Sequence, residues 1–150
     1  MRIIIQRVLR ASVSIENKIV GSIQQGFLVL VGIEHSDTSE DANWIIQKLI
    51  GLRVFSDHEG KMNLSVKDIS GNILVVSQFT LFASTVKGNR PSFIRSAKPD
   101  IAIPIYEYFV SRLKDESGLD IQTGKFGADM QIELINDGPV TIMIDSKNRE

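Results

Sequence analysis

ILVVSQFTLFA, Ile73 to Ala83, opens as an uninterrupted apolar run and then sets Ser77, Gln78 and Thr80 among apolar neighbours. An apolar run of this length, rich in β-branched residues, predicts a core strand covered on both faces. The polar residues need an account, because a buried hydroxyl or amide without a partner costs about 1–3 kcal/mol. Two readings are open on the residues alone. Either this is a strand end whose side chains bond to neighbouring backbone, as most buried polar groups do, or it is the floor of a pocket.

The segment that follows sharpens the question. Between Ser84 and Lys98 the chain reads STVKGNRPSFIRSAK, with Lys87, Arg90, Arg95 and Lys98 and no acid until Asp100. Such a loop is either a solvated surface segment or, beside a pocket, a holder of phosphates. A helix is expected from Asp100 to Glu116, with Ile101, Ile105, Tyr108, Phe109 and Leu113 on one side. Pro104 suits only its first turn, since proline lacks the N–H that later turns need. Beyond Ser117 and Gly118, ADMQIELI alternates apolar and polar residues as a half-buried antiparallel strand does. NDGPVT, Asn136 to Thr141, has turn composition and precedes a strand, VTIMID; the charged SKNRE that ends the sequence is expected to fray. Sequence alone favours a trans Gly138–Pro139 bond, because only about 5–6% of X-Pro bonds in folded proteins are cis.

Upstream, RIIIQRV (Arg2–Val8) and SVSIE (Ser12–Glu16) have strand patterning, with a turn at Asn17 and Lys18, a return arm from Ile19 to Gln24, and a central strand in FLVLVGIE. Helical spacing takes over at Asp37, where DTSE has the form of a capping box ending at Glu40. Ala42, Ile45, Ile46, Leu49 and Ile50 mark the buried face, with Trp44 at its edge. RVF and KMNLSV are hairpin partners around SDHEG. His35 and His58 both fall in loops with no nucleophile signalled nearby, and read as solvated residues.

At 150 residues, 43% hydrophobic and 23% charged, the chain is expected to form one domain, residues 1–150, with a single sizeable core. A net charge of −1 does not advertise nucleic-acid binding by the molecule as a whole. With no cysteine and two histidines, disulfides, thiolate chemistry and a multi-histidine metal site are not expected, and no cofactor is implied. The absence of a signal-peptide pattern or membrane-span run points to a cytoplasmic protein with no membrane partner.

Taken together, SQFTLFA at 77–83, NDGPVT at 136–141, FSDHEGKMNLSV, GNRPSFIRSAKPD and TGKFGADMQIELI give the chain a close resemblance to the D-aminoacyl-tRNA deacylases, often called D-Tyr-tRNA deacylases. The resemblance spans nearly the whole chain. It implies an α/β fold with two twisted, mainly antiparallel β-sheet layers and helices packed outside. It also implies hydrolysis of the ester joining a D-amino acid, or glycine mischarged on tRNA-Ala, to the terminal ribose of tRNA. The implied assembly is a homodimer with each active site at the subunit interface. On that reading Ser77, Gln78, Phe79 and Thr80 line the reaction centre, and a cis Gly138–Pro139 turn from the other subunit excludes L-amino acids. Arg7 would hold that turn, with Met130 and Phe126 flanking the pocket. Thr80 has no histidine, lysine or carboxylate spaced to activate it. The expectation is therefore a positioned water assisted by the ribose 2′-hydroxyl, with backbone N–H groups near Gln78 and Phe79 meeting the oxyanion. The rival reading, motivated by the 84–98 patch, is a non-catalytic nucleic-acid-binding module.

Overall fold

Strand β1 runs unbroken from Arg2 to Ile15 in the computed structural model, which describes residues 1–149. Two strands were expected here, and the reason for one is a change of partner along its length. Arg2–Val8 pair antiparallel with β3 (Gly26–Gly32), whereas Ala11–Ile15 pair with β2 (Lys18–Ile23). The other edge of β1 pairs almost throughout with β8 (Gln131–Asp145). Register slips between Gln6 and Val8 and again between Val8 and Arg10, so the buried positions move from Ile3 and Ile5 to Val8, Ala11 and Val13. The broken alternation in the sequence is this switch of face.

Strand β6 (Asn72–Ser77) lies parallel to β3, and β7 (Ile121–Thr123) lies parallel to β6. The result is a mixed six-stranded sheet, with a small hairpin of β4 (Phe55–Ser56) and β5 (Met62–Leu64) beside it. Because β3 and β6 are covered on both faces, their side chains divide between two cores. Phe27, Val29, Val31, Ile73 and Val75 pack with the buried faces of the helices. Leu28, Leu74 and Val76 pack with Val8, Ala11, Val13 and Ile23 from the layer formed by β1, β2 and β8. This is an α/β fold in which the sheet doubles over itself and the helices cover one side.

Helix α1 (Ser39–Gly51) is capped by Thr38, with Asp41 completing the capping box, one residue later than DTSE suggested. Asp37 is not free to cap, because its carboxylate accepts from the buried Met1 ammonium and from the Glu34 N–H. Helix α2 (Pro99–Ser117) starts at Pro99, which puts Pro104 in the second turn rather than the first. The carbonyl that loses its partner belongs to exposed Asp100, where water replaces the bond. Gly118, at φ 67°, ends the helix and donates its N–H to the Lys114 carbonyl at 3.0 Å.

Two further expectations are corrected. NDGPVT does not reverse the chain: it is a bulge inside β8, since Gln6 pairs with Thr141 while Val8 pairs with Asn136. Nor are residues 146–149 frayed. Ser146 is buried, donating its N–H to the Met1 carbonyl and accepting from the Met1 ammonium, and Lys147 reaches the Asp41 carboxylate at 2.8 Å. Glu150, the last residue of SKNRE, lies outside the described residues. Among the described residues no helix is long and apolar enough to cross a membrane.

Candidate active site

Strand β6 stops at Ser77, and the chain turns into a 3₁₀ segment, Phe79–Phe82. Gly32 makes the turn possible. A Cβ there would meet the Leu81 Cβ at 3.0 Å, the Gln78 carbonyl at 3.1 Å and the Phe82 ring at 3.2 Å. Polar residues therefore appear in SQFTL where the strand ends, and two of them, Gln78 and Thr80, bond to each other. The Gln78 amide donates to the Thr80 hydroxyl, and the Phe79 carbonyl accepts from Ser96 Oγ at 2.8 Å.

Beyond the C-terminal ends of the parallel strands β3 and β6 lies a cavity of about 570 Å³, the place where open α/β sheets commonly bind ligands. Ser77, Gln78 and Phe79 line it, together with Val31, Val76, Phe126 and Met130. Each reading of the opening stretch holds in part: Gln78 and Thr80 bond to each other, and Ser77 and Gln78 floor a pocket whose lining does not include Thr80. Phe79 is 57% exposed, with its ring edge-on to Phe93 at 5.0 Å. Phe126 is braced by Tyr106 at 5.6 Å, and the Tyr106 hydroxyl donates to the Val75 carbonyl at 3.1 Å. Burial pushes the Tyr106 phenol up to about 12, so it stays neutral and serves as a prop.

The backbone donors differ from expectation in one respect. The Gln78 N–H is committed to the Val31 carbonyl at 2.7 Å. The N–H groups of Phe79 and Thr80 precede the first bond of the 3₁₀ turn, Leu81 N–H to the Gln78 carbonyl at 3.3 Å, and so have no partner within the turn.

Gly138 and Pro139 do not line this cavity within the chain; both are exposed, and the bond between them is cis. Gly138 adopts φ 125°, and a Cβ on it would come within 3.0 Å of the Arg7 guanidinium. Arg7 itself is buried, donating Nε to the Asp137 carbonyl at 3.1 Å, pairing with the Asp137 carboxylate at 3.1 Å, and donating Nη1 to the Val54 carbonyl. Its donors clamp the residue that precedes the turn. The sequence reading missed Phe93, Ser96, Lys98 and Asp129, which also line the cavity. They arrive from two loops distant in sequence, and only the basic run around Lys98 gave any signal.

The D-Tyr-tRNA(Tyr) deacylase family model matches residues 4–145. Over 150 residues, 100% of both chains, the sequence is 63% identical to a D-aminoacyl-tRNA deacylase of Flavobacterium psychrophilum and 59% identical to one of Phocaeicola vulgatus. Among solved structures, one titled c-Myc DNA Unwinding Element Binding Protein aligns with a TM-score of 0.91 at 40% identity, covering 97% of this chain and 98% of that one. A probable eukaryotic D-amino acid tRNA deacylase aligns with a TM-score of 0.81 at 19% identity over 95% of this chain and 97% of its own, a likeness of fold.

Proposed function

Since the chain belongs to the D-Tyr-tRNA(Tyr) deacylase family, we propose that it hydrolyses the ester between a D-amino acid and the terminal ribose of tRNA, with glycyl-tRNA mischarged on tRNA-Ala as a further substrate. The observation that carries this reading is the placement of Ser77, Gln78 and Phe79, from the motif SQFTL, on the floor of the cavity beyond β3 and β6.

In the proposed reaction a water oxygen bonds to the acyl carbon and the carbon–ribose oxygen bond breaks. The ribose oxygen takes up the proton, and free amino acid and tRNA leave. The Phe79 and Thr80 N–H groups meet the oxyanion. The Thr80 hydroxyl already accepts from the Gln78 amide, so it positions rather than attacks. Its neighbours supply no base, and the ribose 2′-hydroxyl stands beside the carbonyl to assist.

The site is completed by a second copy of the chain. The partner's Gly138 and Pro139 face the cavity and leave no room for the side chain of an L-residue, while glycine passes. What supports a cross-subunit arrangement is that this segment is exposed and takes no part in the cavity lining of its own chain. The working location is the cytoplasm, where the tRNA pool is.

Purified protein incubated with D-Tyr-tRNA and L-Tyr-tRNA is expected to deacylate the first and spare the second. Equal rates on the two, or none on the D form, would overturn the proposal. A second reading, plain nucleic-acid binding, is favoured by the similarity to a protein titled for binding a DNA element. It predicts salt-sensitive binding that ignores the acyl group and is accompanied by no turnover.

A further inference from the structure

A second and wider cleft, about 950 Å³, lies between α1, the residues following it and the last turns of β8. Its exposed cations are Lys48, Arg53 and Arg149. Among the described residues none of the three lies within ion-pair distance of a carboxylate. The one carboxylate among the described lining residues, Asp145, is neutralised by Arg2 at 2.8 Å. Three positive charges without an ion pair among the described residues thus share one cleft, Arg53 alone feeling a nearby carboxylate, that of Asp68. Two of them are held in place. The Arg149 guanidinium sits 4.5 Å, and the Lys48 ammonium 5.6 Å, from the centre of the Trp44 ring. Lysine and arginine on a free surface sample many rotamers; these two share an aromatic anchor.

The sheet register relates this cleft to the cavity. Asp145 pairs with Arg2, Arg2 pairs with Gly32, and the neighbouring Val31 pairs with Ser77. The cleft and the cavity therefore open at the same end of the sheet, three strand spacings apart. Arg2 links them directly, since it lines the cleft and donates to the Leu81 carbonyl in the 3₁₀ turn at 2.8 Å. At ~4.8 Å per strand the separation is about 14 Å. At ~3.4 Å per stacked nucleotide along one strand that is about four nucleotides.

Resting on the deacylase reading above, we infer that the cleft bearing Lys48, Arg53 and Arg149 docks the phosphate backbone of the tRNA acceptor arm. With the acylated ribose in the cavity, the phosphates that reach the cleft lie about four nucleotides back along the same strand. The contact is to backbone, because what the cleft offers is cationic side chains, two of them already drawn to the Trp44 ring. The cleft then contributes affinity for the polynucleotide and none for the acyl group.

The test compares D-Tyr-tRNA with D-tyrosyl-adenosine, which fills the cavity alone. In Lys48→Glu/Arg149→Glu the KM for D-Tyr-tRNA is expected to rise about tenfold or more, and its salt dependence between about 50 and about 200 mM to flatten, with D-tyrosyl-adenosine hydrolysis within about twofold of the parent. Arg53→Gln, whose side chain bonds only Asn63, gives a smaller shift of the same kind. It keeps the test alive if the double variant, deprived of its contacts to Trp44, fails to fold. A KM for D-Tyr-tRNA within about twofold of the parent in a folded variant, or equal losses on both substrates, would overturn the docking inference. A parent inactive on D-Tyr-tRNA would instead overturn the deacylase reading.

Discussion

The hydroxyl of Thr80 is the nucleophile weighed for the SQFTL motif, and its surroundings argue against attack. It accepts from Gln78, belongs to a turn rather than a strand, and is not part of the cavity lining. Thr80→Ala is accordingly expected to keep activity within about tenfold of the parent, because no covalent step is lost and the backbone donors stay in place. Single-turnover deacylation with a circular-dichroism check of folding measures this; complete loss in a folded variant would restore Thr80 as nucleophile. At this scale Ser77 and Gln78 were legible, since polar residues inside an apolar run demand a pocket or a partner. Phe79, Met130 and Phe126 came through resemblance, and all three line the cavity. Asp129 and Lys98 were not legible as lining residues, because loops carry no periodicity from which a facing direction can be read.

Elements were legible where one partner governs them and obscure where partners change. The helices and β3 declare themselves by spacing, whereas β1 reads as two strands because its core face switches at the slip beside Val8. The β8 bulge imitates a turn in composition because Asn, Asp, Gly and Pro suit both. Only the pairing of Gln6 with Thr141 and of Val8 with Asn136 tells them apart. Arg7 is what holds that bulge, through the Asp137 carbonyl and carboxylate on one side and the Val54 carbonyl on the other. A lysine has a single point of donation and cannot span these acceptors. Arg7→Lys is expected to cost about 2 kcal/mol in urea denaturation, leaving the helices intact by circular dichroism. An unchanged midpoint would mean that the bulge holds itself.

At the scale of the whole molecule, both ends of the described chain are sewn to the start of α1 and the loop that leads into it. The Met1 ammonium reaches Asp37, and Lys147 reaches Asp41. Burial alone would raise the Asp41 carboxyl, but hydrogen bonds from Lys147, Ser146 and the Thr38 N–H hold it well below the usual carboxylate range. Asp145 is likewise lowered, burial being outweighed by Arg2 and the Lys147 N–H. Carboxyls lowered in the fold contribute stability that is present above about pH 4 and lost as pH falls through their folded values. Asp37 works in the opposite sense, raised by burial against the pull of the Met1 ammonium, so the informative readout is a comparison. The melting temperature of the parent is expected to fall more steeply below about pH 4 than that of Asp41→Asn; parallel curves would sink the assignment. Length and composition had pointed to one domain, and the resemblance to an α/β fold, but neither to this closure, because Ser146 and Lys147 read as ordinary tail residues until Met1 and Asp41 are seen beside them. The pairing of β1 with β8 carries a consequence for biosynthesis. Strand β1 leaves the ribosome more than a hundred residues ahead of its partner β8, a wait of roughly ten seconds at common elongation rates of about 5–20 residues per second. During that interval its open edge is the nascent chain's most exposed template for mispairing.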